Sequence, residues 1–133
     1  MKINARVDNS PSGHSVSVST NGAAKSIVLP PKDGAPGSEV NGGELLFLAL
    51  ATCYCNDIYR EAAKMGVTVR RVAVTVEGEF GGVGEPARGI TYAAEVDADA
   101  SEELIRDLMR HTDRVAEIHN TLRAGASVEL RLD

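Results

Sequence analysis

The sequence predicts an α+β fold in which antiparallel sheet wraps a long central helix. Three observations predict it. Residues 44–65 read as one uninterrupted helix whose first half is apolar on every side. The segments before and after it alternate apolar and polar residues with period two, as half-buried strands do. The order of strands, long helix, hairpin, helix and strand segregates the helices from antiparallel sheet. The chain has 133 residues, a length that suits one domain over 1–133, and it carries no internal repeat and no linker composition.

Each element follows from local signals. Met1, Ile3, Ala5 and Val7 alternate with Lys2, Asn4, Arg6 and Asp8 in a first strand. Asn9-Ser-Pro-Ser-Gly13 turns the chain, and Val16 and Val18 alternate with serines in a second strand. Asn21-Gly22 is a two-residue hairpin signal. Residues 26–29 make a third short strand, stopped by Pro30-Pro31. Residues 30–43 hold three Pro and four Gly, an irregular connection of a length often tied to function. The central helix ends at Gly66, a natural C′ residue. At ~1.5 Å per residue it is about 33 Å long. Val72, Val74 and Val76 share one face of a strand over 67–80. Residues 81–86 form a hairpin loop, and Ile90, Tyr92, Ala94 and Val96 align on the return strand. Asp99 and Ser101 are N-cap candidates for a helix with the stripe Leu104, Ile105, Leu108, Met109 and Thr112. Ile118 and Leu122 predict a short helix closed near Gly125, and Val128, Leu130 and Leu132 alternate with charges in a final strand.

Composition excludes several functions. Net charge is −5 and no basic run occurs, so nucleic acid is not an expected partner. The apolar run over 45–51 is far too short to span a bilayer, so no membrane is expected. That helix is expected to be covered by the chain's own sheet or by a partner's. Residues 1–7 lack the apolar stretch of a secretory signal. Cys53 and Cys55, two apart on a helix, diverge by about 200° and do not form a disulfide. A reducing cytoplasm is the expected setting.

Cys53 carries the chemical question. A thiol inside such a helix is either a small hydrophobe or a nucleophile, and a nucleophile needs a stabilised thiolate. Cys53 lies about two and a half turns into the helix, beyond the reach of its dipole, so a cation must do this. Arg60, seven residues on, leans back toward Cys53. Asp57 sits between them at i+4 and pairs with either. Arg6, on the polar face of the first strand, is a second candidate cation. The plain alternatives are a solvated Arg60–Asp57 ion pair and a solvent-facing Arg6. Cys55 reads as core or interface filler, and His119 as a capping or surface residue, or else a proton donor near the thiol. No metal is expected: Cys53 and Cys55 do not converge, and His111 and His119 are too few and out of register. Gly81–Gly84 lacks the following helix and the Lys/Ser of a phosphate loop, and no cofactor is expected.

At these residues the chain resembles the OsmC/Ohr family, the osmotically inducible and organic hydroperoxide resistance proteins. Glu44-Leu-Leu-Phe-Leu-Ala-Leu-Ala-Thr-Cys53 is similar to the family's E-L-L-x-x-A-L-A-x-C helix. Met65-Gly-Val-Thr-Val, Val74-Thr-Val-Glu-Gly78 and Asn120-Thr-Leu-Arg match later segments. The resemblance implies an intertwined homodimer with its sites at the interface. It also implies that Cys53 attacks an organic hydroperoxide and becomes a sulfenic acid, which a second cysteine resolves. The sequence departs from that pattern in three places. Ala116 stands where the second cysteine belongs, and Gly43 where the peroxidase branches carry a catalytic Glu, Glu44 matching a second, more structural acidic position. Residues 9–43 hold Lys25 and Lys32 but no Arg to stabilise the thiolate.

Two functions are therefore expected to compete, beside a third reading as a purely structural or protein-interaction domain. One is a one-cysteine thiol peroxidase for small organic hydroperoxides, with Cys53 as nucleophile, Arg60 or Arg6 holding the thiolate, and an external thiol as reductant. The other is a non-catalytic dimer that binds a small apolar ligand. The residues expected around the bound molecule are Glu44, Leu46, Leu50, Tyr54, Asp57 and His119.

Overall fold

A computed structural model describes residues 1–132. It is α+β, with antiparallel sheets and three helices, and divides into two compact units, Met1–Leu45 and Leu46–Asp133. Among the described residues no helix is long and apolar enough to cross a membrane.

The first unit is a meander of β1 (Ile3–Ser10), β2 (Gly13–Thr20) and β3 (Ala23–Ser26), paired in that order. Asn21 and Gly22 both take positive φ, 50° and 83°, the geometry that lets a two-residue turn match strand twist. Because that turn is so short, pairing resumes at once with Thr20 opposite Ala23, and β3 lies earlier than the expected 26–29. The Pro/Gly-rich connection folds back on itself through a Pro31–Ser38 bridge, and the Gly37 N–H donates to Asn9 Oδ1 at 3.1 Å.

Helix α1 (Gly42–Lys64) starts with a reciprocal capping box. The Glu44 N–H donates to Asn41 Oδ1 at 2.9 Å, and the Asn41 N–H donates to Glu44 Oε1 at 3.0 Å. The helix stops at Gly66 (φ 68°), where the Val67 N–H reaches back to the Ala62 carbonyl at 2.9 Å.

In the second unit α1 continues beside a hairpin of β4 (Val69–Phe80) and β5 (Ala87–Ala98), followed by α2 (Glu102–Val115) and α3 (Glu117–Ala124). Its core joins Tyr54, Ile58 and Ala62, one face of α1 at successive i+4 steps, to Val67, Ala98, Leu108 and Ala116. Val72, Val74, Tyr92, Ala94 and Val96 pack against it from the hairpin. The ladder slips between Glu77 and Glu79. Gly78 lies there because a Cβ would stand 2.8 Å from the Phe47 ring. Ser101 caps α2 by accepting from the Leu104 N–H at 3.2 Å, and Gly125 closes α3 in the left-handed region.

One expectation fails within this chain, and the cover expected over α1, from its own sheet or a partner's, is only partly supplied by its own. Residues 126–132 form no strand: Val128, Leu130 and Leu132 are at least 84% exposed, and their backbone groups have joined no sheet edge among the described residues. The apolar first half of α1 is not covered all round, since Leu48 is 60% exposed.

Candidate functional site

The site lies in the second unit, where Cys53 on α1 meets the first turn of α3. Cys53 is half-buried and, like Cys55, a free thiol. Its Sγ donates to Asp57 Oδ2 at 3.4 Å and lies 3.9 Å from Glu117 Oε2. Asp57 is present because i+4 on a helix returns to the same face. Glu117 is present because the chain breaks at Ala116, fully buried with an extended φ/ψ, and restarts with Glu117 as the first residue of α3.

Arg60 ties this cluster together without touching the sulfur. Its Nη1 stands 2.9 Å from Asp57 Oδ1 and 3.1 Å from Glu117 Oε1, and its Nε donates to Glu61 Oε1 at 2.8 Å. The buried Glu61 also takes Lys64 Nζ and His111 Nε2, both at 3.1 Å. Arg60, Lys64 and His111 hold its carboxyl down at about 2.

The electrostatics hold Cys53 as a thiol. Burial pushes it up, and the Asp57 and Glu117 carboxylates add to that; the Ile118 backbone N–H, at the start of α3, opposes them. Burial likewise raises Asp57, helped by its carboxyl contact with Glu117. Glu117 is lowered, first by its own backbone N–H and then by Asp57 and Arg60. The arrangement offers a nucleophile, a proton acceptor beside it and a cation that holds the acceptor.

The expected site residues do not all gather here. Cys53, Asp57 and Arg60 do. Leu50 and Tyr54 are buried, and the Tyr54 hydroxyl donates to the Met109 carbonyl at 2.8 Å. Leu46 is half-buried. The Glu44 carboxylate is engaged in the capping box. Arg6 lies on β1 in the first unit, exposed and paired with Asp8. His119, expected as a capping or surface residue or else a proton donor near the thiol, is only 4% exposed. It packs 4.7 Å from the Tyr92 ring and 5.9 Å from the Tyr54 ring, and neither ring nitrogen has a partner among the described residues. Burial keeps it neutral by lowering its pKa. Beside it the Tyr92 hydroxyl donates to Asp113, which Arg123 Nη2 holds at 2.7 Å. Glu117 and Glu61 carry no reading from the sequence, and His111 enters there only as a rejected metal ligand. A Lys three residues after Glu61 was a local hint; an acidic residue opening a short helix, as at Glu117, carries no special signal.

Residues 35–131 match the family described as OsmC-like protein. The chain belongs to that family. An OsmC-like protein from Mycoplasma pneumoniae, known from a crystal structure, aligns over 93% of this chain and 87% of its own, at 19% identity and a TM-score of 0.66. An OsmC-like protein of unknown function from Vibrio cholerae aligns over 89% of this chain and 92% of its own, at 13% identity and a TM-score of 0.59. At these identities the likeness is one of fold. No curated protein sequence matches the chain. In this OsmC-like protein one carboxylate near Cys53 comes from Glu117, the residue that follows Ala116, the position where the sequence resemblance places a second cysteine.

Proposed function

We propose that this OsmC-like protein is a one-cysteine thiol redox protein of the reducing cytoplasm that works as a homodimer and reduces small organic hydroperoxides. One observation carries the reading: a free, half-buried thiol donates to a carboxylate that a guanidinium holds in place. Asp57 accepts the thiol proton as sulfur attacks the terminal peroxide oxygen. The S–O bond forms, the O–O bond breaks, and the alkoxide leaves as alcohol after taking up that proton. The Ile118 N–H stabilises the charge that builds on sulfur. The resulting sulfenic acid condenses with an external thiol, losing water, and a second thiol releases the mixed disulfide and restores Cys53.

Exposed apolar surface supports the dimer. Ile3 and Val7 on β1 are at least 60% exposed, as is Leu48 on α1, and Phe80 on β4 is 51% exposed. The unpaired alternating segment 126–132 has the pattern of a strand that completes a partner's sheet.

A second reading, a non-catalytic dimer that binds a small apolar ligand, draws on the raised thiol and on an Arg60 already shared among three carboxylates. Titration of the reduced protein with an alkyl hydroperoxide, followed by peptide mass spectrometry, separates the two. The redox reading expects one added oxygen at Cys53 and loss of thiol-coupled peroxide turnover in Cys53→Ser. Full turnover by Cys53→Ser overturns it, and an unmodified Cys53 overturns it in favour of the binder.

A further inference from the structure

We propose that Cys53 selects its redox partners by charge and that Glu117 sets the selection. The external thiol or disulfide accepted there carries an ammonium group or no charge, and an anionic one is turned away. This rests on the reading of Cys53 as the reacting thiol and names the chemical class of its reductant.

The argument begins with what surrounds the sulfur. Cys53 Sγ and one oxygen each of Asp57 and Glu117 lie within 4.8 Å of one another. One guanidinium, Arg60, serves both carboxylates and divides its charge with Glu61 as well. Lys64 and His111 pair with Glu61, not with the two carboxylates at the thiol. The balance beside the sulfur is therefore two carboxylates against a shared cation. The two carboxylates are also unequal in reach. Asp57 is 5% exposed, whereas the Glu117 side chain is 61% exposed. A molecule approaching Cys53 meets Glu117. The whole-chain charge of −5 has the same sign. At physiological ionic strength a charged group a few ångströms from the reacting sulfur is still inside the Debye length of about 8 Å.

The reductive half of the cycle makes this matter. The external thiol attacks the sulfenic sulfur, an S–S bond forms and water leaves. A second thiol then attacks the mixed disulfide and the Cys53 thiol is restored. Each attacker is a thiolate entering a field of excess negative charge. An ammonium on the same small molecule offsets that charge and pairs with Glu117; a carboxylate on it adds to the repulsion.

Two methanethiosulfonate reagents with the same leaving group test this, one bearing trimethylammonium and one bearing sulfonate. With each, the Cys53 thiolate forms an S–S bond and methanesulfinate departs. Rates at Cys53 are read by peptide mass spectrometry and divided by the rates with a small neutral thiol. The cation-to-anion ratio cancels the thiolate population, so it reports the local field alone. The expected normalised ratio is about fivefold or more at low salt, shrinking as salt is added. It falls toward one in Glu117→Gln and inverts in Glu117→Lys. A ratio of one or less in the unaltered protein, or a ratio unmoved by Glu117→Gln, overturns the charge selection while leaving the redox role of Cys53 intact. If neither reagent labels Cys53 in the folded protein but both label it after unfolding, the accessible thiol itself is refuted, and both readings fall.

Discussion

Replacing Asp57 with Asn tests the electrostatic account of Cys53 most directly. The substitution keeps the shape and removes a negative charge 3.4 Å from the sulfur. At that distance, and with an effective dielectric between about 20 near a protein surface and about 80 in water, the repulsion between carboxylate and thiolate is on the order of 2 kcal/mol. Arg60, 2.9 Å from the same carboxylate, offsets roughly half of it, leaving about 1 kcal/mol against the thiolate. Removing that term raises the thiolate population about fivefold at a fixed pH below the thiol's midpoint. A less basic thiolate is also a weaker nucleophile, so alkylation speeds up by only about two- to threefold. The assay is iodoacetamide alkylation of the folded protein across pH, read at the Cys53 peptide. The midpoint of the rate profile is expected to move down. The hydroperoxide reaction, set against that larger thiolate population, is expected to slow, because the proton acceptor is gone. An unchanged or slower alkylation, with circular dichroism and melting temperature preserved, would refute the reasoning.

Two further outcomes follow from the second unit. Ile58 is fully buried at the centre of the core, so Ile58→Ala leaves a cavity and lowers stability by about 2–5 kcal/mol, measured as a shift of the urea midpoint; a loss below ~1 kcal/mol would contradict this packing. Burial depresses His119, so as pH falls below its ordinary value of ~6.5 the unfolded chain takes up the proton first and stability drops with acid. His119→Phe keeps the ring stack and removes that titration, so its stability should vary less with pH in that window; an equally steep profile would sink the account.

Much of the fold was legible because its signals are local. The all-apolar run ahead of Cys53, the Asn21-Gly22 turn, the helix stop at Gly66 and the Ser101 cap each act through neighbours within a few residues, and each stands where the pattern places it. The final strand was legible as alternation only: Val128, Leu130 and Leu132 have the right period, but a strand is made by the edge that receives it. His119 was misjudged because two rings close over it from elsewhere in the chain, Tyr54 from α1 and Tyr92 from β5.

The site divides in the same way. Helical spacing alone puts Cys53, Asp57 and Arg60 on one face, because residues three, four and seven apart share it. Only the tertiary structure brings Glu117 and the Ile118 N–H across 60-odd residues to the sulfur, and only it loads Arg60 with three carboxylates. The proton affinity of a thiol depends on the charges and the burial around it in space. The sequence therefore determined that a thiol sits in this helix, and burial in the folded chain, with the Asp57 and Glu117 carboxylates beside it, pushes that thiol further up while the Ile118 N–H of α3 opposes them.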